Sequence, residues 1–175
     1  ANYHLPLKTA LGYKESIVFE IKLDDLTGKE IFSLLQEHLE DMKATSPPES
    51  KHALDLDGLK DPSVKFWTIW DGNVLAGCGA FKKLDESNAE IKSMRTSNSF
   101  KNKGVASKLL IHIIEQAKSI GLKKLSLETG SMDYFVPAHG LYLKHGFIFC
   151  GPFSDYKEDP NSKFMSLDLL GEVVA

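Results

Sequence analysis

Seven consecutive residues, Lys101-Asn102-Lys103-Gly104-Val105-Ala106-Ser107, have the make-up of an anion-binding turn. They join a stretch of strand character to the start of a strongly helical one. A helix start offers unpaired backbone N–H groups and a partial positive charge of about 0.5 e. A phosphate or pyrophosphate fits there directly. A glycine lets backbone approach ligand without an intervening Cβ, and Lys101 and Lys103 add attraction at longer range. The surroundings agree: from Lys82 to Lys124 ten basic residues face four acidic ones, a net +6 inside a chain of net −3. The loop alone is equally compatible with an ordinary glycine turn on a solvated basic face.

Rival chemistries are poorly represented. A Walker loop needs a second glycine and a following Lys-Ser/Thr, which are missing here. Gly77-Cys78-Gly79 begins like a dinucleotide fingerprint, but Lys82 stands where the third glycine belongs and no helix follows. No Gly-x-Ser-x-Gly elbow marks a hydrolase. His139 and His145 lie six apart on one helical stretch, about 240° around, so they cannot share a metal. No metal is expected. His112 interrupts an apolar stripe and reads as structural. Cys78 and Cys150 read as buried small side chains, as free cysteines usually are.

The elements that must position this loop follow from periodicity. Ile17 to Ile21 reads as a strand. Thr27 to Met42 reads as a helix with Thr27 and Glu30 as a capping box and Ile31, Leu34, Leu35, Leu39 and Met42 on one face. Ser46-Pro47-Pro48-Glu49-Ser50 must end it. Ala53 to Leu59 suggests a second short helix. Val64 to Trp70 and Val74 to Phe81 form a hairpin around Asp71-Gly72-Asn73. Ala89 to Thr96 is a strand. Val105 to Ile120 carries the widest apolar stripe, through Val105, Ala106, Leu109, Leu110, Ile113, Ile114 and Ala117, and Gly121 stops it. Strands at Lys124 to Glu128, Phe147 to Cys150 and Lys163 to Leu169, with a helix at Pro137 to His145, complete the order β-α-α-β-β-β-α-β-α-β-β. Hairpins followed by β-α-β imply a mixed α/β (α+β) sheet with helices against it.

Composition sets the class. The chain has 175 residues, 42% hydrophobic and 26% charged, which suits one globular domain with a true core. Residues 1–16 show no clean period and read as an arm or a remnant, leaving 17–175 as the domain. A net charge of −3 disfavours a nucleic-acid partner. No apolar run approaches the length of a membrane span. Two cysteines and no signal layout point to a cytoplasmic protein without a membrane partner.

The loop acquires meaning beside a second motif. Leu141-Tyr142-Leu143-Lys144-His145-Gly146-Phe147 lies forty positions after Lys101, with a β-α-β pattern between. Together these segments resemble the GNAT superfamily of acyl-CoA-dependent N-acetyltransferases, over roughly 17–169. That family carries Arg/Gln-x-x-Gly-x-Gly/Ala at a helix start and Leu-Tyr-x-x-x-Gly-Phe later. The second signature matches in full; the first matches except for Lys101. The segments 46–56 and 151–165 also look like a branch of small bacterial members with unassigned acceptors. The resemblance implies a mixed, mostly antiparallel central sheet with helices on both faces.

It implies residue roles as well. The backbone of Met94, Arg95 and Thr96 would pair with the pantetheine arm, and the Met94 N–H would polarise the thioester carbonyl. Lys101, Asn102, Lys103, Gly104, Val105, Ala106 and Ser107 would cradle the pyrophosphate of acetyl-CoA. Tyr142 would sit near the sulfur. Glu90 falls eleven positions before Lys101, where one branch keeps a glutamate general base. Phe135 stands where the family often has Asn. Glu49, Ser50 and His52, and Glu128, Thr129 and Ser131, would border the acceptor; Tyr156, Asp159 and Asn161 are weaker candidates for the same border.

The expected activity is transfer of acetyl from acetyl-CoA to a primary amine of a small molecule, by direct attack in a ternary complex. Alternatives are a non-catalytic acyl-CoA sensor, a protein or peptide N-acetyltransferase, and a binder of another nucleotide. A last strand at an open edge, near Lys163 to Leu169, would suit pairing of two subunits into a homodimer.

Overall fold

The computed structural model describes residues 17–45 and 55–170. The N-terminal arm and Glu49, Ser50 and His52 therefore lie outside the described residues. The eleven predicted elements are present in the predicted order: β1 (Phe19–Leu23), α1 (Lys29–Thr45), α2 (Leu56–Leu59), β2 (Val64–Asp71), β3 (Val74–Lys83), β4 (Asn88–Thr96), α3 (Val105–Ser119), β5 (Lys124–Gly130), α4 (Val136–Lys144), β6 (Ile148–Cys150) and β7 (Ser162–Asp168).

One seven-stranded sheet runs β1-β2-β3-β4-β5-β7-β6. Strands β1 to β4 form an antiparallel meander, and β5, β7 and β6 are also antiparallel. The two blocks meet only along β4 and β5, which are parallel. A parallel join needs a crossover, and α3 supplies it. The Asp71↔Val74 pair closes the first hairpin over Gly72 and Asn73, and Gly72 takes the left-handed conformation such tight turns demand, φ +57°.

The core lies on both faces of the sheet. On one, Val105, Leu109, Leu110, Ile113 and Ala117 of α3 pack with Trp67, Phe81, Ile91, Leu125 and Leu127, joined by Tyr142 of α4. Full burial of each large aliphatic chain contributes about 1.5–3 kcal/mol. On the other face, Ile31, Leu34 and Leu35 of α1 pack with Phe66, Leu75, Cys78 and Ala80. Ala106 and Ile114, at the rim of the expected α3 stripe, are only half-buried.

Four expectations need correction. Strand β1 begins at Phe19, because Phe19 pairs with Asp71 at the very end of β2 and leaves Ile17 nothing to pair with. Helix α1 begins at Lys29; the Thr27 N–H, which Glu30 would take in a capping box, donates instead to Asp25 Oδ1 at 3.1 Å, as does the Thr27 hydroxyl at 2.6 Å. Strand β7 is not an edge, since β5 and β6 pair on its two sides; it offers no open flank to a second subunit. Cys78 is buried, but Cys150 is exposed, because all three residues of β6 at the sheet margin face out.

The cysteines give a simple check. Burial pushes the Cys78 thiol up to about 12, and only the thiolate reacts. A disulfide reagent at pH 8 is expected to modify one thiol per native chain quickly and the second only after unfolding, as a colorimetric thiol count will show.

Candidate active site

Strands β4 and β5 pair through three rungs only, Asn88↔Lys124, Ala89↔Leu125 and Glu90↔Ser126. Beyond Glu90 they part, and Leu127 to Gly130 of β5 continue along β7 instead. Parting two parallel neighbours leaves main-chain flanks without ladder partners, which polar ligands can satisfy. The opening is one wall of a cleft of about 1400 Å³.

Strand β4 changes course as it enters the opening. Cys78 pairs with Arg95 and Ala80 with Lys92, so Ser93 and Met94 together oppose Gly79. This is a β-bulge, and Ser93 adopts φ +57° to make it. The Cys78 thiol donates to the Ser93 carbonyl at 3.3 Å. Both glycines of β3 are explained here. A Cβ on Gly79 would meet Met94 Sδ as well as Ile113 and Leu109 of α3, and one on Gly77 would stand 2.8 Å from the Arg95 carbonyl oxygen. They are packing glycines under the bulge and α3, in keeping with the sequence reading.

The loop after β4 makes one turn of 3₁₀ helix at Asn98–Phe100 before α3 starts. Asn102 and Gly104 are both left-handed, at φ +63° and +78°. Gly104 precedes α3 with no side-chain cap on the helix start. A Cβ there would meet nothing within 4 Å, so its glycine serves the backbone angle. The first turn of α3 thus has no side-chain oxygen from its cap residue over its N–H groups, and Lys101, Asn102, Gly104, Val105, Ala106 and Ser107 line the cleft. This fits a pyrophosphate. Lys103 is exposed, with Nζ 5.3 Å over the Phe100 ring. The Ser107 hydroxyl lies 3.0 Å from His145 Nε2, tying α3 to the end of α4.

Glu90 is buried, with 8% of its side chain exposed. Its Oε2 accepts from the Tyr156 hydroxyl at 2.6 Å, and Lys92 Nζ is 4.0 Å from Oε1. Burial, and then the Glu90 carboxylate beside it, push the Tyr156 phenol above its usual value. Tyr142 lines the cleft from α4, its ring edge against Phe147. Burial raises its phenol too.

The other predicted residues divide. Met94, Thr96, Glu128 and Thr129 line the cleft, and Glu128 Oε1 accepts from the Ser162 hydroxyl at 2.9 Å. Arg95 also lines it, but its guanidinium is committed to α1: Nη2 lies 2.7 Å from both Glu37 Oε1 and Asp41 Oδ2. Its Nη1 reaches the Tyr134 hydroxyl at 3.5 Å, and its Nε is buried without a partner among the described residues. Ser131 does not line the cleft; its hydroxyl donates to the Pro160 carbonyl at 2.7 Å and holds the loop before β7. Tyr156, Asp159 and Asn161, the weaker candidates, do line it. Phe135 fills the place beside Gly130. His139 bonds the Gly130 carbonyl at 2.8 Å, and His112 meets the edge of Trp67. Among the described residues no group of three potential ligands could hold a metal, and no helix is long and apolar enough to cross a membrane.

Comparison with known proteins agrees with this geometry. The sequence profile of the Acetyltransferase (GNAT) family matches residues 30–147, a span holding both signatures. The uncharacterized N-acetyltransferase YsnE of Bacillus subtilis (strain 168) is 57% identical over 149 residues, covering 85% of this chain and 99% of the relative. The uncharacterized N-acetyltransferase YedL of Escherichia coli (strain K12) is 50% identical over 152 residues, covering 87% and 96%. A Bacillus subtilis acetyltransferase solved in complex with CoA shares the fold at 23% identity, TM-score 0.66, covering 87% of this chain and all of that one. The parted strands, the uncapped α3 start and these relatives lead to one family: the chain is a GNAT-family N-acetyltransferase.

Proposed function

We propose that this enzyme moves acetyl from acetyl-CoA to a primary amine of a small molecule, by direct attack in a ternary complex. The observation that carries the reading is the meeting, in one cleft, of an uncapped helix start and a parted strand pair with Glu90 at its apex. Acetyl-CoA supplies the acyl thioester. Met94, Arg95 and Thr96 would hold its pantetheine arm by their backbone, and Lys101 to Ser107 its pyrophosphate. That a protein of this fold is solved in complex with CoA supports CoA as the carrier.

The amine arrives as an ammonium, with a pKa of about 10. Glu90 accepts one of its protons, directly or through water, and frees the lone pair that forms the N–C bond. As the N–C bond forms, negative charge moves to the carbonyl oxygen. As the C–S bond breaks it passes to sulfur, and the second proton of the now cationic nitrogen goes to that thiolate, leaving the amide and the CoA thiol. The Met94 N–H, at the bulge, is the donor for the oxygen; one such donor supplies about 3 kcal/mol of barrier lowering. Tyr142 serves the sulfur. Burial keeps its hydroxyl protonated but makes it a poorer acid, so its contribution is a hydrogen bond to a thiolate that is itself a weak base, pKa about 8.5. Glu128 and Thr129 border the acceptor.

Calorimetric titration with acetyl-CoA, and with ATP as control, tests the first half. Saturable micromolar binding of acetyl-CoA alone is expected; equal binding of ATP would point to a general nucleotide site. Thiol release in a panel containing an alkyl monoamine, an aralkylamine, a diamine and an amino-acid amide tests the second half. Binding without release for any amine or peptide would identify a sensor. Tyr142→Phe is expected to lower kcat by about 10²-fold with the acetyl-CoA Kd unchanged, by the same two measurements.

A further inference from the structure

We propose that Tyr156 is a positioning residue: it fixes the Glu90 carboxylate so that one oxygen stays turned to the acceptor. The proposal rests on Glu90 being the base. Tyr156 lies on the segment that crosses from β6 to β7, sixty-six positions from Glu90 in sequence. That segment is anchored. Its far end is held by the Ser131 hydroxyl on the Pro160 carbonyl and by the Ser131 N–H on the Asn161 carbonyl, 3.0 Å. The Tyr156 ring is wedged between Phe153, at a centroid distance of 5.0 Å, and Phe164 of β7, at 5.6 Å. The hydroxyl is thus delivered to Glu90 Oε2 by a braced ring.

A carboxylate has two oxygens and a soft terminal torsion. Left alone, Glu90 would turn toward Lys92, whose ammonium is only 4.0 Å away. A closer ion pair would engage the lone pairs the reaction needs. The 2.6 Å hydrogen bond from Tyr156 occupies Oε2 and holds the carboxylate where Lys92 stays 4.0 Å from Oε1, beyond hydrogen-bond reach, so Oε1 keeps a lone pair for the proton. Tyr156 itself is a donor only. Its hydroxyl proton lies on the bond to Glu90 Oε2, so Tyr156 orients the carboxylate and Glu90 is the group with a free oxygen; burial, which raises the phenol, agrees.

The experiment is a double-mutant cycle on the full chain: wild type, Tyr156→Phe, Glu90→Gln, and both together. Phenylalanine keeps the ring packing and removes only the hydroxyl. Rates are read as thiol release with the fastest amine of the panel and as amine-free hydrolysis of acetyl-CoA. Tyr156→Phe is expected to cut kcat by about 10- to 100-fold, with the acetyl-CoA Kd and Tm unchanged. In the Glu90→Gln background it is expected to cost nothing more, since residues acting through one another are non-additive. Losses that multiply would show that Tyr156 acts on the acceptor by itself and would overturn the proposal, as would an unchanged kcat or a change confined to the acceptor KM. Failure of the underlying reading has its own signature: Glu90→Gln alone turning over like wild type.

Discussion

Glu90→Gln is expected to lower kcat/KM by about 10²- to 10⁴-fold, the usual range for a positioned general base, while leaving acetyl-CoA affinity unchanged. Glutamine matches the shape of glutamate and its carbonyl oxygen can accept the Tyr156 hydrogen bond, so the 2.6 Å contact survives. What is lost is the capacity to take a proton. Glu90 lies on the last rung shared by β4 and β5, away from the α3 start, and binding of the phosphate end of the cofactor should not feel the change. Thiol-release kinetics beside calorimetry separates the two effects. A variant that keeps wild-type turnover would mean the amine reaches the thioester already neutral.

Gly77→Ala is expected to destabilise the fold by about 1–3 kcal/mol and to weaken acetyl-CoA binding with it. The new methyl group would stand 2.8 Å from the Arg95 carbonyl oxygen, 3.1 Å from Val105 Cγ1 and 3.3 Å from Ile69 Cγ2. The first neighbour is main chain and cannot rotate away. Strand β4 must move, and it carries Met94 next to Arg95. The second neighbour opens α3, so both walls at this end of the cleft are displaced. Gly140→Ala is the matched control: it lies within α4, nothing stands within 4 Å of the added group, and helix propensity favours alanine by up to about 1 kcal/mol. Urea denaturation of the pair should give shifts of opposite sign.

The sequence discloses what is local. The stripe of α3, the Asp71-Gly72-Asn73 turn and the Lys101 to Ser107 loop each depend on neighbours within a few residues, and each is where periodicity and turn chemistry place it. Long-range pairing leaves weaker traces. The bulge at Ser93 is made by a residue with no special liking for positive φ, so nothing in Lys92-Ser93-Met94 announces it. The insertion of β7 between β5 and β6 follows from which edge is free when the chain returns. Thr27 fits a capping box by spacing, yet Asp25 two residues earlier takes the Thr27 N–H that Glu30 would need.

The site divides along the same line. The helix-start loop and Tyr142 lie within motifs, and Tyr142 and all of the loop but Lys103 line the cleft. The partners of Glu90 and Arg95 are not legible in this way. Tyr156 reaches Glu90 from sixty-six positions away, and Glu37 reaches Arg95 from fifty-eight. Both contacts exist only because the sheet and α1 bring distant segments together. Ser131 is the converse: its place after β5 suits a substrate ligand, but the next loop takes its hydroxyl first.

The three rungs between β4 and β5 have a mechanical consequence. The sheet is two rafts, one of four strands and one of three, moored to each other by a short line and by the α3 crossover. A molecule lodged where the strands part would touch both rafts and act as a stitch across the seam. Saturating it would stabilise the folded chain against unfolding as well as fill the site, by about 2.7 kcal/mol at a hundredfold excess over Kd. The cell's supply of that molecule would then set how firmly the two halves of the protein hold together.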